Sequence, residues 1–215
     1  MFSHYLHGIP LLVPTRYNVI PFGHRCASAI ACKYAGIRHM SLPFDWLNSG
    51  YPAKLQKVMT NNFKDFVPDD YEDNKEHVMN KYDILLAHMN RNSKKGREAY
   101  RRRISRFQDI IVNDAYKMFI CVYEDFLYNE MHRNVNYHED IFQQIVDFES
   151  YYKETYGNDY VIIWIDFIKH NLPDNSRIVQ VVVTPPMTYE TADDAPYLEF
   201  RKYCGDVLKK MFIHE

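Results

Sequence analysis

The chain has 215 residues, 47% hydrophobic and 25% charged, an ordinary globular composition long enough for one packed core. Its formal net charge of −2 gives no global attraction to nucleic acid or to a membrane surface, so a polyanion site would have to come from a local cluster. The four cysteines, at positions 26, 32, 121 and 204, include no Cys-x-x-Cys pair, which argues against a zinc ribbon or a thioredoxin-type motif and fits reduced thiols inside a cell.

Residues 1 to 16 read as an irregular arm, because Pro10 and Pro14 interrupt the apolar Ile9, Leu11, Leu12 and Val13. That run is too short for a signal peptide or a membrane span, and no later stretch approaches about 18 apolar residues, so a soluble cytoplasmic chain with no membrane partner is expected. Residues 17–215 then read as a single domain. Val19, Ile20 and Phe22 form a short buried strand, Gly23 permits a tight turn, and the Ala-rich run from Ala27 to Ala35 has good helix propensity. Cys26 falls at the first turn of that helix. There the unpaired backbone N–H groups and the positive end of the helix dipole favour a thiolate, so a lowered pKa and a nucleophilic role are expected. The commoner role of a free cysteine at such a junction is a small buried apolar residue.

Pro43 disfavours helix at Leu42, and Asp45 sits between Phe44 and Trp46 either as a helix N-cap or as a carboxylate in an unusual aromatic setting. Residues 51 to 67 carry Leu55, Val58, Met59 and Phe63 at helical spacing, and an acidic loop follows from Pro68 to Lys75. Lys81 to Asn90 reads as a strand whose apolar run ends at His88. A helix over 97–112 buries Ile104, Phe107 and Ile111, and Met118 to Val122 is a continuous apolar strand. The alternation repeats: a helix over 138–156 with Ile141, Ile145, Phe148 and Tyr152 on one face, a cap at Gly157, and a strand over 160–165. A strand over 177–184 ends at Pro185, and Leu198 to Phe212 forms a helix with Val207, Leu208 and Met211 inward.

Apolar strands separated by amphipathic helices predict an α/β class with a mainly parallel sheet covered on both faces. Ligands in such sheets bind outside the carboxyl ends of the strands. That rule selects Gly23, His24 and Cys26, then His88 and Asn90, then Tyr123 and Glu124, then Asp166. A second feature is the basic run Lys94, Lys95, Arg97, Arg101, Arg102, Arg103 and Arg106, opposed only by Glu98. Arginines near a helix start can clamp a diphosphate, and Arg102, Arg103 and Arg106 are the least committed to the apolar side set by Ile104 and Phe107. Only Tyr100 is interleaved as an aromatic, so nucleic acid is not an expected partner. The glycine-rich phosphate-binding patterns and the Asp-x-Asp pair of metal-dependent sugar transferases are missing, although Asp69-Asp70 and Asp193-Asp194 are adjacent acidic pairs. His24, Cys26 and His88 lack a four-ligand spacing, and neither a metal nor a cofactor is expected.

Pro21-Phe-Gly-His-Arg-Cys26 before an Ala-rich helix, Gly36-Ile-Arg38, Leu42-Pro-Phe-Asp-Trp46 and Asn62-Phe-Lys-Asp-Phe66 together resemble a domain family of unknown function described as papain-like cysteine peptidases. Tyr100-Arg-Arg-Arg-Ile-Ser-Arg-Phe107, leading into Met118 to Val122, is similar to that family's second block, so the likeness spans roughly residues 17 to 165. It departs where Ile20-Pro-Phe-Gly23 replaces the family's Ser-Leu-Gly or Ser-Ile-Gly. The resemblance implies Cys26 as nucleophile, with His88 as its base and His24 in reserve. Asp45 or Asp166 is then the carboxylate available to orient the histidine. Backbone N–H groups from Gly23 to Ala27 would hold an oxyanion, with Asn90 and Trp46 further candidates for binding substrate. The leading expectation is a hydrolase or acyl transferase acting on a peptide or acyl substrate. The runner-up, by fold-level analogy, is a glycosyltransferase that takes a nucleotide diphosphate sugar at the arginines, and a non-catalytic binding module stands third.

Overall fold

The computed structural model describes residues 5–6, 16–48, 50–68, 78–86, 94–124, 137–157, 159–183 and 195–212. Among them, strands β1 (Tyr5–Leu6), β2 (Tyr17–Phe22), β6 (Tyr116–Val122), β7 (Tyr160–Asp166) and β8 (Ile178–Val182) form one sheet in the order β1-β8-β7-β6-β2. All neighbours are parallel except the short pair β1 and β8. The class is α/β, as the unbroken apolar strands require. Tyr5 and Leu6, expected in an irregular arm, instead add an antiparallel strand, because their backbone pairs with Val181 and Val182 at an otherwise open edge.

Strand register divides the core into two layers. Ile20, Phe119, Ile162 and Ile178 are successive partners across the sheet and face one layer, while Val19, Met118 and Val161 face the other. The first layer is covered by α2 (Pro52–Thr60), α3 (Lys94–Val112) and α4 (Tyr137–Tyr156) through residues such as Leu55, Phe107, Ile145 and Phe148. The second is covered by α1 (Ala27–Tyr34) and α5 (Ala195–Phe212) through Ala31, Cys32, Phe200 and Cys204. Strand β7 is buried along its whole length, as a central strand covered on both faces must be.

One expected strand lies elsewhere. The stretch beginning at Lys81 contributes β5 (Leu85–Leu86), which pairs antiparallel with β3 (Leu47–Asn48) and β4 (Val78–Met79) in a separate small sheet. Its apolar run is short and unbroken, and Leu86 joins the core cluster that holds Leu47 and Phe66 rather than entering the parallel sheet. Of the four strands expected to share a carboxyl edge, β2, β6 and β7 do so, and β8 stands where the stretch from Lys81 was expected. These cross the sheet in chain order with no reversal, so no switch-point crevice forms between them. No described helix is long and apolar enough to cross a membrane.

Candidate active site at the carboxyl edge of the sheet

Strand β2 ends at Phe22, and the chain turns through Gly23 at φ +137°, a conformation side chains rarely adopt. A Cβ there would also lie 3.3 Å from Ser28 Oγ and 3.4 Å from Cys121 Sγ. The turn is held from outside by Gly50, whose N–H donates to His24 O at 3.1 Å. From inside it is held by Ser28, whose buried hydroxyl donates to Phe22 O at 2.7 Å and accepts from Val122 N at 2.9 Å. Ser28 thus ties the ends of β2 and β6 to the start of α1.

This turn delivers Cys26 to the N-cap of α1, one position before the helix proper, with Ile30 N donating to its carbonyl at 3.0 Å. Cys26 is half-buried, whereas Cys32, Cys121 and Cys204 are buried, and all four are free thiols. The charged groups acting on the Cys26 sulfur are Arg201 of α5, Glu124 just after β6, and Arg25 of its own turn. Burial pushes the thiol up from its ordinary value; Arg201 and Arg25 oppose that and Glu124 adds to it. The expected depression of the pKa is therefore reversed. A helix start favours the anion, but removing the sulfur from water costs more than that start and the two guanidiniums return.

Glu124 is 1% exposed and accepts two hydrogen bonds from Arg201, from Nε at 2.7 Å and from Nη2 at 2.6 Å. Arg201 and Arg25 both lie over the Tyr197 ring, at 5.6 and 5.9 Å from its centroid. On the other side of the same edge, Asp166 Oδ1 accepts from Phe167 N at 2.8 Å, and Oδ2 stands 3.5 Å from His170 Nε2. His170 stacks on Phe142 and Trp164, with centroids 4.7 and 5.1 Å away. Side chains alternate along a strand, so Asp166 follows Trp164 toward α4, while Glu124 follows Val122 toward α1 and α5. Cys26 and Asp166 share an edge but belong to opposite faces.

The remaining candidates have mixed outcomes. His24 packs tilted against Tyr51 with ring centroids 4.4 Å apart, and burial, followed by Arg25 and Lys54, lowers its pKa to about 3, so the imidazole is neutral at ordinary pH. Asp45 accepts from Leu42 N at 3.0 Å and pairs with Arg38, organising its own turn instead of capping a helix. Burial pushes its carboxyl up while Arg38 opposes the shift. Trp46 is half-buried under the Arg38 guanidinium at 5.8 Å, and its carbonyl accepts from Tyr100 OH at 3.3 Å. Arg106 donates to Ser41 O at 2.8 Å and Arg103 lies 4.8 Å over Tyr100, so two of the three arginines selected for a diphosphate bind their own chain. Arg102 is exposed. His88, Asn90 and the acidic pairs at 69–70 and 193–194 lie outside the described residues.

Three residues at this edge were not singled out by the sequence. Ser28, a polar residue in an Ala-rich run, carried a faint signal, and His170 stands four residues after Asp166. Arg201 carried none, because its partner Glu124 is 77 positions away. The described residues contain no group of three or more His, Cys, Asp or Glu side chains suited to a metal ion. Comparison of the chain with protein-family models, curated proteins and solved structures finds no match.

Proposed function

We propose that the chain is a cysteine-dependent hydrolase or acyl transferase, with Cys26 as nucleophile and His88 as base. The observation that carries this reading is the setting of Cys26. It is the one half-buried thiol, at a helix N-cap outside the carboxyl edge of a parallel sheet, beside two guanidiniums. The resemblance carried by Pro21 to Cys26 and Leu42 to Trp46 supports the same role. Because burial keeps the resting thiol protonated, attack on an acyl carbonyl must be coupled to proton removal. The sulfur bonds to the carbonyl carbon as its proton passes to the imidazole of His88. The imidazole returns that proton to the leaving group as the tetrahedral centre collapses to a thioester. Water or an acceptor nucleophile then attacks the thioester, gives a proton to His88, and releases the acyl group as the thiol re-forms. The first N–H groups of α1, which have no helix carbonyl partner, are oxyanion donors in this scheme.

The test uses a panel of activated acyl esters and thioesters, with mass spectrometry to trap the acyl-enzyme. Cys26→Ala is expected to abolish both the trapped adduct and turnover, a loss on the order of thousands-fold, with the fold intact. His88→Ala is expected to slow acylation while leaving Cys26 alkylation by iodoacetamide measurable. Turnover that survives Cys26→Ala would overturn the assignment. The diphosphate-sugar alternative would have to share Arg103, which lies over Tyr100, and Arg106, which donates to Ser41 O.

A further inference from the structure

Helices α1 and α5 lie on one face of the sheet and run the same way. Arg201 stands at the carboxyl edge against Glu124, and Phe212 stacks on Tyr17 at the opposite edge, with ring centroids 6.4 Å apart. Between these ends the helices touch closely at Gly205, where a Cβ would lie 2.5 Å from Tyr34 Cβ and 2.9 Å from Ala31 O. One turn back along each helix brings Arg201 beside the start of α1. Glu124 arrives from β6, two residues after Val122, whose N–H is bound to Ser28 Oγ. Tyr197 holds the guanidiniums of Arg201 and Arg25 over its ring. The thiol of Cys26 is therefore faced from three elements: Arg25 from its own turn, Glu124 from β6 and Arg201 from α5. Glu124 acts on the buried thiol of Cys204, also on α5, as well, adding to the upward push of burial.

We infer that the Glu124–Arg201 ion pair is the control element of the Cys26 site, the guanidinium stabilising the sulfur anion that forms during reaction and the carboxylate opposing it. Arg201 is a positioning residue here, and its two-pronged bond to Glu124 fixes the charge beside the sulfur. The inference deepens the proposed function and rests on Cys26 as the reacting group. Its test reads the thiol alone, so failure of the acyl chemistry and failure of the ion pair are separable.

The rate of Cys26 alkylation by iodoacetamide is followed by mass spectrometry across pH, with circular dichroism confirming each variant is folded. Glu124→Gln is expected to move the alkylation midpoint down and to raise the neutral-pH rate by about three- to tenfold, because the negative charge acting against the thiolate is removed. Arg201→Gln is expected to move the midpoint up and slow alkylation by a similar factor. Arg201→Lys loses the two-pronged bond but keeps the charge, so its midpoint is expected near that of the native chain. A purely structural arginine would make the Lys and Gln variants behave alike, and that result overturns the inference. Equal midpoints in Glu124→Gln and the native chain do so as well. Should Arg201→Gln not fold, the double variant Glu124→Gln with Arg201→Lys carries the test: a midpoint below the native one supports the inference, and one at or above it refutes it.

Discussion

His24 sits 6% exposed against Tyr51, and its neutral form is what the fold accommodates. Its pKa of about 3 lies below the ordinary 6.5, so the unfolded chain binds the proton more readily than the folded one. The stability this contributes is fully present above pH 6.5 and is lost as pH falls from 6.5 toward about 3, by up to about 1.4 kcal/mol per pH unit. Urea midpoints across that window are expected to fall less steeply in His24→Gln than in the native chain. For Cys26 the sign is opposite to the one its helix position suggests. Of the four thiols it is expected to alkylate first, since the others are buried, yet its rate should still be climbing above pH 9 because burial raises the thiol from its ordinary 9.0. The helix start was legible from Gly23 and the Ala-rich run. The desolvation was not, because the groups enclosing the sulfur come from β6 and α5, distant in sequence.

Ser28 and Gly205 are where elements are joined. Ser28→Ala removes the acceptor of Val122 N and the donor to Phe22 O in a buried setting, at a cost of about 1 to 3 kcal/mol, measurable as a lower urea midpoint. Gly205→Ala sets a methyl group against the backbone of Ala31, so α1 and α5 must part, costing about 1 to 3 kcal/mol by the same measurement. The aromatic segments that carried the family resemblance turn out to be a packing device. Phe44 meets Phe63, Phe66 and Phe107 with ring centroids 5.6, 6.0 and 5.0 Å away, joining the turn before β3 to the turns after α2 and to α3. Phe63 holds φ +59°, an uncommon conformation for a bulky side chain, to take its place in that stack. Phe44→Ala is expected to cost about 3 to 5 kcal/mol, with loss of cooperative unfolding by circular dichroism the sign that this cluster is integral to the core.

Across the molecule, long periodic segments were readable: the spans of α3, α4, α5, β6, β7 and β8 follow from apolar spacing, and with them the parallel α/β class. The stretch from Lys81 carries a strand signal, but a short apolar run does not say which sheet it joins, and Leu85 and Leu86 join the small one. Pairing between distant residues, such as Arg201 with Glu124, leaves no local trace. The parallel course of α1 and α5 has a further consequence, for order in time. Ribosomes add roughly 5 to 20 residues per second, so Cys26 is polymerised on the order of ten to thirty seconds before Arg201. During that interval the sulfur lacks the guanidinium that is its largest opposing influence to burial, along with the helix packed over it. A thiol whose surroundings are completed only by a late-made helix stays without them while the chain is nascent, and pulse alkylation during refolding should find Cys26 acquiring its native rate in the same phase as α5 docking.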